Sequence, residues 1–254
     1  MARIALRTAK DRSAREVLFD RAQDPIHLAV CRLSPGETGT LAGGGGEGAA
    51  YVWQGSLRFG ATDLPAGSSL ILEAGAQPAV SAGTDGATVV LFHANQPAKA
   101  GQAKVGQVPG AVHLLPDSQV PRYAPEPGAG GAAGGLHANG ECPTCQVWLH
   151  ENQLPGMAGG DTAAVAERGI HSHSEDEIIF ITAGTMRLGA RLVGPGTAIA
   201  IARDTFYSFT PGPEGLSFIN FRPARPSAFR MKQGGSFDEP GYWQERVSPP
   251  VYLA

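Results

Sequence analysis

The chain has 254 residues, a formal net charge of −3 and a pI near 6.2, with 35 glycines, 20 prolines and three cysteines. Scattered Lys and Arg in a weakly acidic chain leave no electrostatic footprint for nucleic acid or an anionic membrane. Three cysteines build no disulfide framework, which fits a reducing cytoplasm, and the excess of Gly and Pro implies many turns and an all-β chain of short strands.

From the N-terminus, MARIALRTAKDRSAREVLFDRA alternates charge with short apolar stretches. It is expected to be neither a secretory signal nor a membrane anchor, and helical periodicity is visible only at 11–22. No later window approaches the roughly 18 apolar residues of a membrane helix. Strands are expected at 27–33, 49–54, 56–59, 69–73 and 88–94, and again at 146–153, 177–183, 185–189, 198–202 and 216–222. GGGGEG at 43–48 has neither the lysine nor the following helix of a phosphate loop and reads as a turn. Residues 97–141 form a Pro/Gly/Ala-rich connection in which VHLLPDSQVPRY is the part able to pack. Cys142 and Cys145 make a single CxxC without a second pair, too little for a zinc site. The tail 225–254 carries Phe229, Phe237, Tyr242, Trp243 and Tyr252, too many aromatics for a disordered segment, so it should wrap onto the body of the protein or a second subunit.

The two sets of strands belong to a repeat. Gly184 and Gly55, Gly196 and Gly67, Gly215 and Gly86, and Phe221 and Phe92 all stand 129 residues apart. The upstream pieces AVCRLSPGETG and WLHENQLPGMAGG align at a shorter offset, so the second half carries an insertion before His171. That residue opens HSHSEDEIIFITAG, in which His171, His173 and Glu177 share odd parity and face one side of an extended chain. Two imidazoles and a carboxylate can hold a divalent ion and leave coordination positions open.

The spacing His171, His173, Glu177, Gly184 resembles the first motif of the cupins, and I201-A-R-D-T-F-Y-S-F209 resembles a degenerate second motif. The resemblance implies two tandem cupin barrels (double-stranded β-helix, or jelly roll). Residues 1–96 would form an N-terminal barrel, 97–141 the connection, 142–224 a metal-binding C-terminal barrel and 225–254 the packing tail. It places Tyr207 where the family has a fourth ligand, a histidine. Tyr207 then has three readings: a core tyrosine, a fourth ligand as phenolate, or a proton donor or base beside a metal-bound substrate. Subtracting 129 from the ligand positions gives Ala42, Gly44, Gly48 and Pro78, none with a donor atom, so the first barrel should be structural. Trp148, His150, Arg187 and Arg222 are candidates to line a substrate pocket, with Arg191 and Arg203 at the rim.

The cupin resemblance implies one divalent metal (Fe, Mn, Ni, Zn or Cu), a small-molecule substrate and a homodimer in the cytoplasm. Three activities fit: an Fe(II)-type dioxygenase; a Mn-dependent hydrolase or lyase; and a non-catalytic metal- and ligand-binding protein. The dioxygenase is the first expectation. The second is similar in plan to (S)-ureidoglycine aminohydrolase, which has a glutamate where this chain has His171 and a glutamine where it has Tyr207.

Overall fold

The computed structural model describes residues 4–10, 13–20, 22–42, 46–94, 110–124, 132–139, 146–157, 169–224 and 228–253. Cys142 and Cys145, Gly43 to Gly45 and residues 97–109, 125–131 and 140–141 of the connection lie outside them. In chain order the strands are β1 (Ile4–Thr8), β2 (Arg15–Phe19), β3 (Ile26–Leu33), β4 (Thr38–Thr40), β5 (Gly48–Phe59), β6 (Thr62–Pro65), β7 (Ser69–Leu72) and β8 (Ala79–Ala94). Then come β9 (Val112–Leu115), β10 (Arg122–Tyr123), β11 (Ala133–Asn139), β12 (Trp148–Leu154), β13 (His171–His173), β14 (Glu177–Leu188) and β15 (Arg191–Val193). The last are β16 (Thr197–Ile201), β17 (Thr210–Arg222), β18 (Phe229–Met231) and β19 (Ser236–Phe237), followed by a short helix α1 (Glu239–Gln244).

One sheet runs β2-β3-β8-β5-β7-β9, with β4 on β8 and β6 on β5; the other runs β1-β16-β14-β17-β12-β11-β10, with β15 on β14. A third, small sheet runs β13-β18-β19. The chain is thus all-β, with tandem cupin-type barrels, and no described helix is long and apolar enough to cross a membrane.

The sheets cut across the boundaries expected from sequence. β1 leaves the first half to pair with β16, and β9, from the connection, pairs with β7. Through β1 the first half supplies a terminal strand of the second sheet, and the connection supplies the terminal strand β9 of the first. β11, also inside the expected connection, pairs with β12 of the second sheet. The helical periodicity at 11–22 is overruled: Arg15–Phe19 is a strand paired with β3, because alternation of buried and exposed positions there serves a sheet edge as well as a helix face.

Strands apolar at successive positions are buried on both faces. In IHLAVCRL of β3, Ile26, Leu28 and Val30 enter a core shared by the two barrels, while Ala29 and Cys31 enter the first barrel's interior. That shared core joins Phe92 to Phe221, their rings stacked 5.0 Å apart. The Trp53 indole N–H also donates to the Thr182 carbonyl at 3.1 Å. Both pairs are 129 residues apart, so the repeat is expressed as a twofold-like contact of equivalent positions.

The expected strand pairs 49–54/56–59 and 177–183/185–189 each form a single strand, because a glycine lets the chain continue through a bulge. At Gly184 φ is 68° and the ladder shifts register on either side. A Cβ there would lie 2.2 Å from the Gly215 carbonyl oxygen, whereas one at Gly189, with φ 58°, meets nothing within 4 Å. Gly184→Ala should therefore cost more than about 3 kcal/mol in urea unfolding and Gly189→Ala only about 1 kcal/mol. Equal costs would remove the close approach as the cause.

Candidate functional site

The interiors of the two barrels differ. The first is packed with aliphatic groups from Leu57, Leu64, Leu70, Leu72, Val89 and Leu91. The second has a partial core around Ile179, Met186, Ile199 and Phe218, and beside it a cavity of about 170 Å³. Position by position, Gly48, Pro78, Leu91 and His93 of the first barrel correspond to Glu177, Tyr207, Asn220 and Arg222 of the second.

Local pairing positions the histidines. His171 and Tyr207 exchange backbone hydrogen bonds of 3.0 Å in both directions, and β18 pairs with β13 on its other side. The His171 and His173 rings then sit 5.0 Å apart, with Phe229 stacked on His171 at 4.8 Å. His171 Nδ1 lies 2.7 Å from the Gly169 carbonyl and must donate to it, which leaves Nε2 as the basic nitrogen. Burial lowers the pKa of His171 and lowers that of His150 far below the ordinary value, so both rings are neutral near pH 7.

Glu177 heads β14 at 1% exposure. One carboxylate oxygen accepts from the Tyr207 hydroxyl; the other accepts from Asn220 Nδ2 at 2.6 Å and from Arg222 Nε at 2.9 Å. The other groups of the Arg222 guanidinium reach Glu239 Oε2 at 2.7 Å (from Nη1) and His173 Nε2 at 3.1 Å (from Nη2). A guanidinium only donates, so His173 Nε2 accepts, and its Nδ1 faces Glu239 at 3.5 Å. Arg222 is 2% exposed and lies 5.7 Å from the Trp148 ring. Burial alone would raise the Glu177 pKa, but His173, Arg222 and the hydrogen bonds from Tyr207 and Arg222 hold it at about 2. Glu239 is likewise held low, chiefly by Arg222 against the opposing effect of burial, and Arg222 stays charged between them. Burial and the neighbouring Glu177 push Tyr207 well above the ordinary phenol value.

The sequence-based candidates sort as follows. Trp148, His150, His171, His173, Tyr207 and Arg222 line one cavity, with Glu177 behind them. Arg187, Arg191 and Arg203 are exposed and stand apart from it. The Tyr207 hydroxyl donates to Glu177, and burial beside that carboxylate favours its neutral phenol form. The expected metal set is also not formed. Both Glu177 oxygens are filled by N–H and O–H donors, and His173 Nε2 points at a guanidinium. Among the described residues no group of three or more His, Cys, Asp or Glu is arranged to hold a metal ion. The residues as placed do not fit the metal that the motif implies, and the reason is Arg222. Asn220, Glu239 and Trp243, which sequence reasoning passed over, complete the cavity wall.

No family model matches the sequence, and no curated protein matches it. Solved structures do resemble the fold. A point mutant of Bacillus subtilis oxalate decarboxylase has a TM-score of 0.59 at 14% identity, over 83% of this chain and 72% of that one. Protein Ylba from E. coli has a TM-score of 0.58 at 15% identity, over 86% and 90%. A putative dioxygenase from Nostoc punctiforme has a TM-score of 0.60 at 10% identity, over 89% and 84%. At these identities the likeness shows the fold, that of cupin-type proteins.

The low pKa of Glu177 sets an acid limit on stability. Its ordinary value is 4.5 and its folded value about 2, so its stabilising charge is fully present above pH 4.5 and is lost as pH falls towards 2. Glu239 acts with the same sign. Urea unfolding from pH 6 to 2.5 should show a steep fall below about pH 4.5. Glu177→Gln should start from lower stability at pH 7 and fall less steeply; an unchanged slope would mean that Glu177 is not held low.

Proposed function

We propose that the protein is a cupin-fold enzyme whose second barrel binds a small, neutral organic molecule and transfers a proton on it. The observation that carries this reading is a set of buried polar atoms without hydrogen-bond partners among the described residues. They are His150 Nε2, His173 Nδ1, Asn220 Oδ1 and Trp243 Nε1, and all four residues line the same cavity. An orphaned buried donor or acceptor costs about 1–3 kcal/mol, so a bound molecule that satisfies them gains that much in affinity. Asn220 must present Oδ1 because its Nδ2 is donated to Glu177, and the indole of Trp243 can only donate. The ligand therefore offers a donor and an acceptor, as an amide or a hydroxy-carbonyl does, on a body that suits the aromatic walls. At ~30 Å³ per water, 170 Å³ holds about six waters' volume, the size of a small metabolite.

Charge narrows the class further. Glu177 and Glu239 carry two negative charges against the one of Arg222, each of whose three nitrogens already donates within the cluster. An anion, including a dianion of the kind named for the oxalate decarboxylases, meets no uncommitted cation among the cavity residues. Neutral His171, with Nε2 unprotonated, supplies the base. Proton abstraction followed by return or elimination places the reaction among isomerases and lyases.

A metal-dependent oxygenase or hydrolase is the second reading. The His171, His173, Glu177 spacing favours it, as do the Mn(II) centres named for Bacillus subtilis oxalate decarboxylase and the putative dioxygenase among the similar structures. It requires Arg222 to leave Glu177 and His173 first.

Ligand-observed NMR with matched neutral amides, hydroxy-ketones and carboxylates tests the first reading. Neutral compounds should bind and carboxylates should not. Trp243→Phe, which removes only the N–H donor, should weaken binding roughly tenfold. In D2O the bound compound should acquire deuterium at carbon, at a rate that His171→Ala lowers by about a hundredfold or more. Binding of carboxylates alone, or no wash-in for any bound compound, would exclude this chemistry.

A further inference from the structure

We propose that Arg222 is the resident cation of the second barrel, its guanidinium standing where a divalent metal would be held. The proposal depends on the reading above only for its location, the second barrel. His173 Nε2 and Glu177 Oε2, two of the three atoms a metal would need, lie 3.7 Å apart. Arg222 bridges them, with Nη2 on the first at 3.1 Å and Nε on the second at 2.9 Å. Two cations would repel at that separation, so an ion can enter only if the guanidinium leaves. Leaving is costly, because it strips Glu177 and Glu239 of their counter-charge in a water-poor interior.

The surrounding residues fit a guanidinium in the same way. A metal asks each ligand for a lone pair and tolerates hydrogen-bond donors poorly. Here the Tyr207 hydroxyl, at the fourth-ligand position, donates to Glu177, and so does the Asn220 amide. Glu239, supplied by the tail helix, takes the remaining edge of the guanidinium through Nη1. The planar fork thus has a carboxylate on two sides and an imidazole on the third, which suits arginine better than the compact charge of lysine. The equivalent residue in the first barrel, His93, packs instead against the glycine at the Glu177-equivalent position. A Cβ on Gly48 would meet its ring at 2.6 Å. Arginine and carboxylate occur together in the second barrel, and both are replaced in the first.

The test is an ion titration that involves no organic ligand, so it can fail while the small-molecule reading stands, and the reverse. It uses the full chain carrying C142S/C145S, so that the two cysteines cannot take the ion. The parent with Arg222, purified without added metal, should contain no bound divalent ion and show no visible Co(II) bands on titration. Arg222→Met and Arg222→Gln, which vacate the bridge, should bind about one equivalent of Co(II) at least a hundredfold more tightly than the parent, with bands of histidine and carboxylate coordination. Adding His173→Ala should abolish them. Arg222→Lys, which keeps a cation beside the carboxylates, should bind none. About one equivalent of metal in the parent, or folded Met and Gln variants that bind nothing, would overturn the proposal. If neither variant folds, the parent titration decides alone.

Discussion

A carboxylate buried in an apolar barrel is tolerated only with a counter-charge within reach, and much of the second half of this chain is arranged around supplying one to Glu177. The guanidinium of Arg222 lies between Glu177 and Glu239 at hydrogen-bonding distance from both. Removing one partner from such a cluster leaves an unpaired buried charge, which costs more than the cluster contributes when whole. The dependence links distant parts of the sequence. Glu177 opens β14, Arg222 closes β17, and Glu239 arrives from the tail, where Asp238 caps α1 by accepting from the Gly241 N–H. The tail is therefore part of the charge balance of the barrel, and its Phe229 and Trp243 form part of the cavity wall.

The two barrels show how one scaffold supports opposite interiors. Their equivalent faces meet through Phe92 and Phe221 and through Trp53 and the Thr182 carbonyl. The second sheet takes its terminal strand β1 from the first half, and the first takes its terminal strand β9 from the connection. The first barrel fills its interior with leucine, valine and alanine, whose burial stabilises it. The second gives up part of that gain to hold charged groups and a cavity. Its losses are offset by the shared core, so the packed barrel acts as the support on which the open one can be kept.

Much of this was legible in the sequence, for stated physical reasons. The constant offset of 129 between glycines marks positions of positive φ, and at Gly55, Gly86, Gly184 and Gly215 a Cβ would also meet a backbone oxygen at 3.0 Å or less. The shared parity of His171 and His173 did bring both rings to one cavity. What the motif could not show is that its carboxylate would be claimed by an arginine 45 residues away, since that contact is made only across β14 and β17. A signal was available. Phe221 aligns with a core residue of the first half, so its strand neighbours Asn220 and Arg222 must face the other way, into the barrel. Arg222 is a pocket-lining candidate from its sequence and does line the cavity, but nothing in the sequence pairs it with Glu177. Glu239 and Trp243 carry no such signal, because a tail's docking is set by surfaces that do not exist until the barrels have formed.

The difference between a guanidinium and a metal determines what the cavity can do. A metal offers open coordination positions and draws charge out of whatever binds there. A guanidinium held by two carboxylates and an imidazole has fixed N–H directions and little charge left to lend. On the function proposed above, orientation of a ligand would fall to Asn220, Trp243 and His150, cavity-lining residues that each keep a buried polar atom without a partner among the described residues, and proton movement would fall to the His171 ring. Glu177, the most deeply placed of the motif residues, does not touch the cavity at all. Its role on this arrangement is to fix Arg222, Asn220 and Tyr207 in place, so a residue type that usually binds a metal here holds the wall of the site in position.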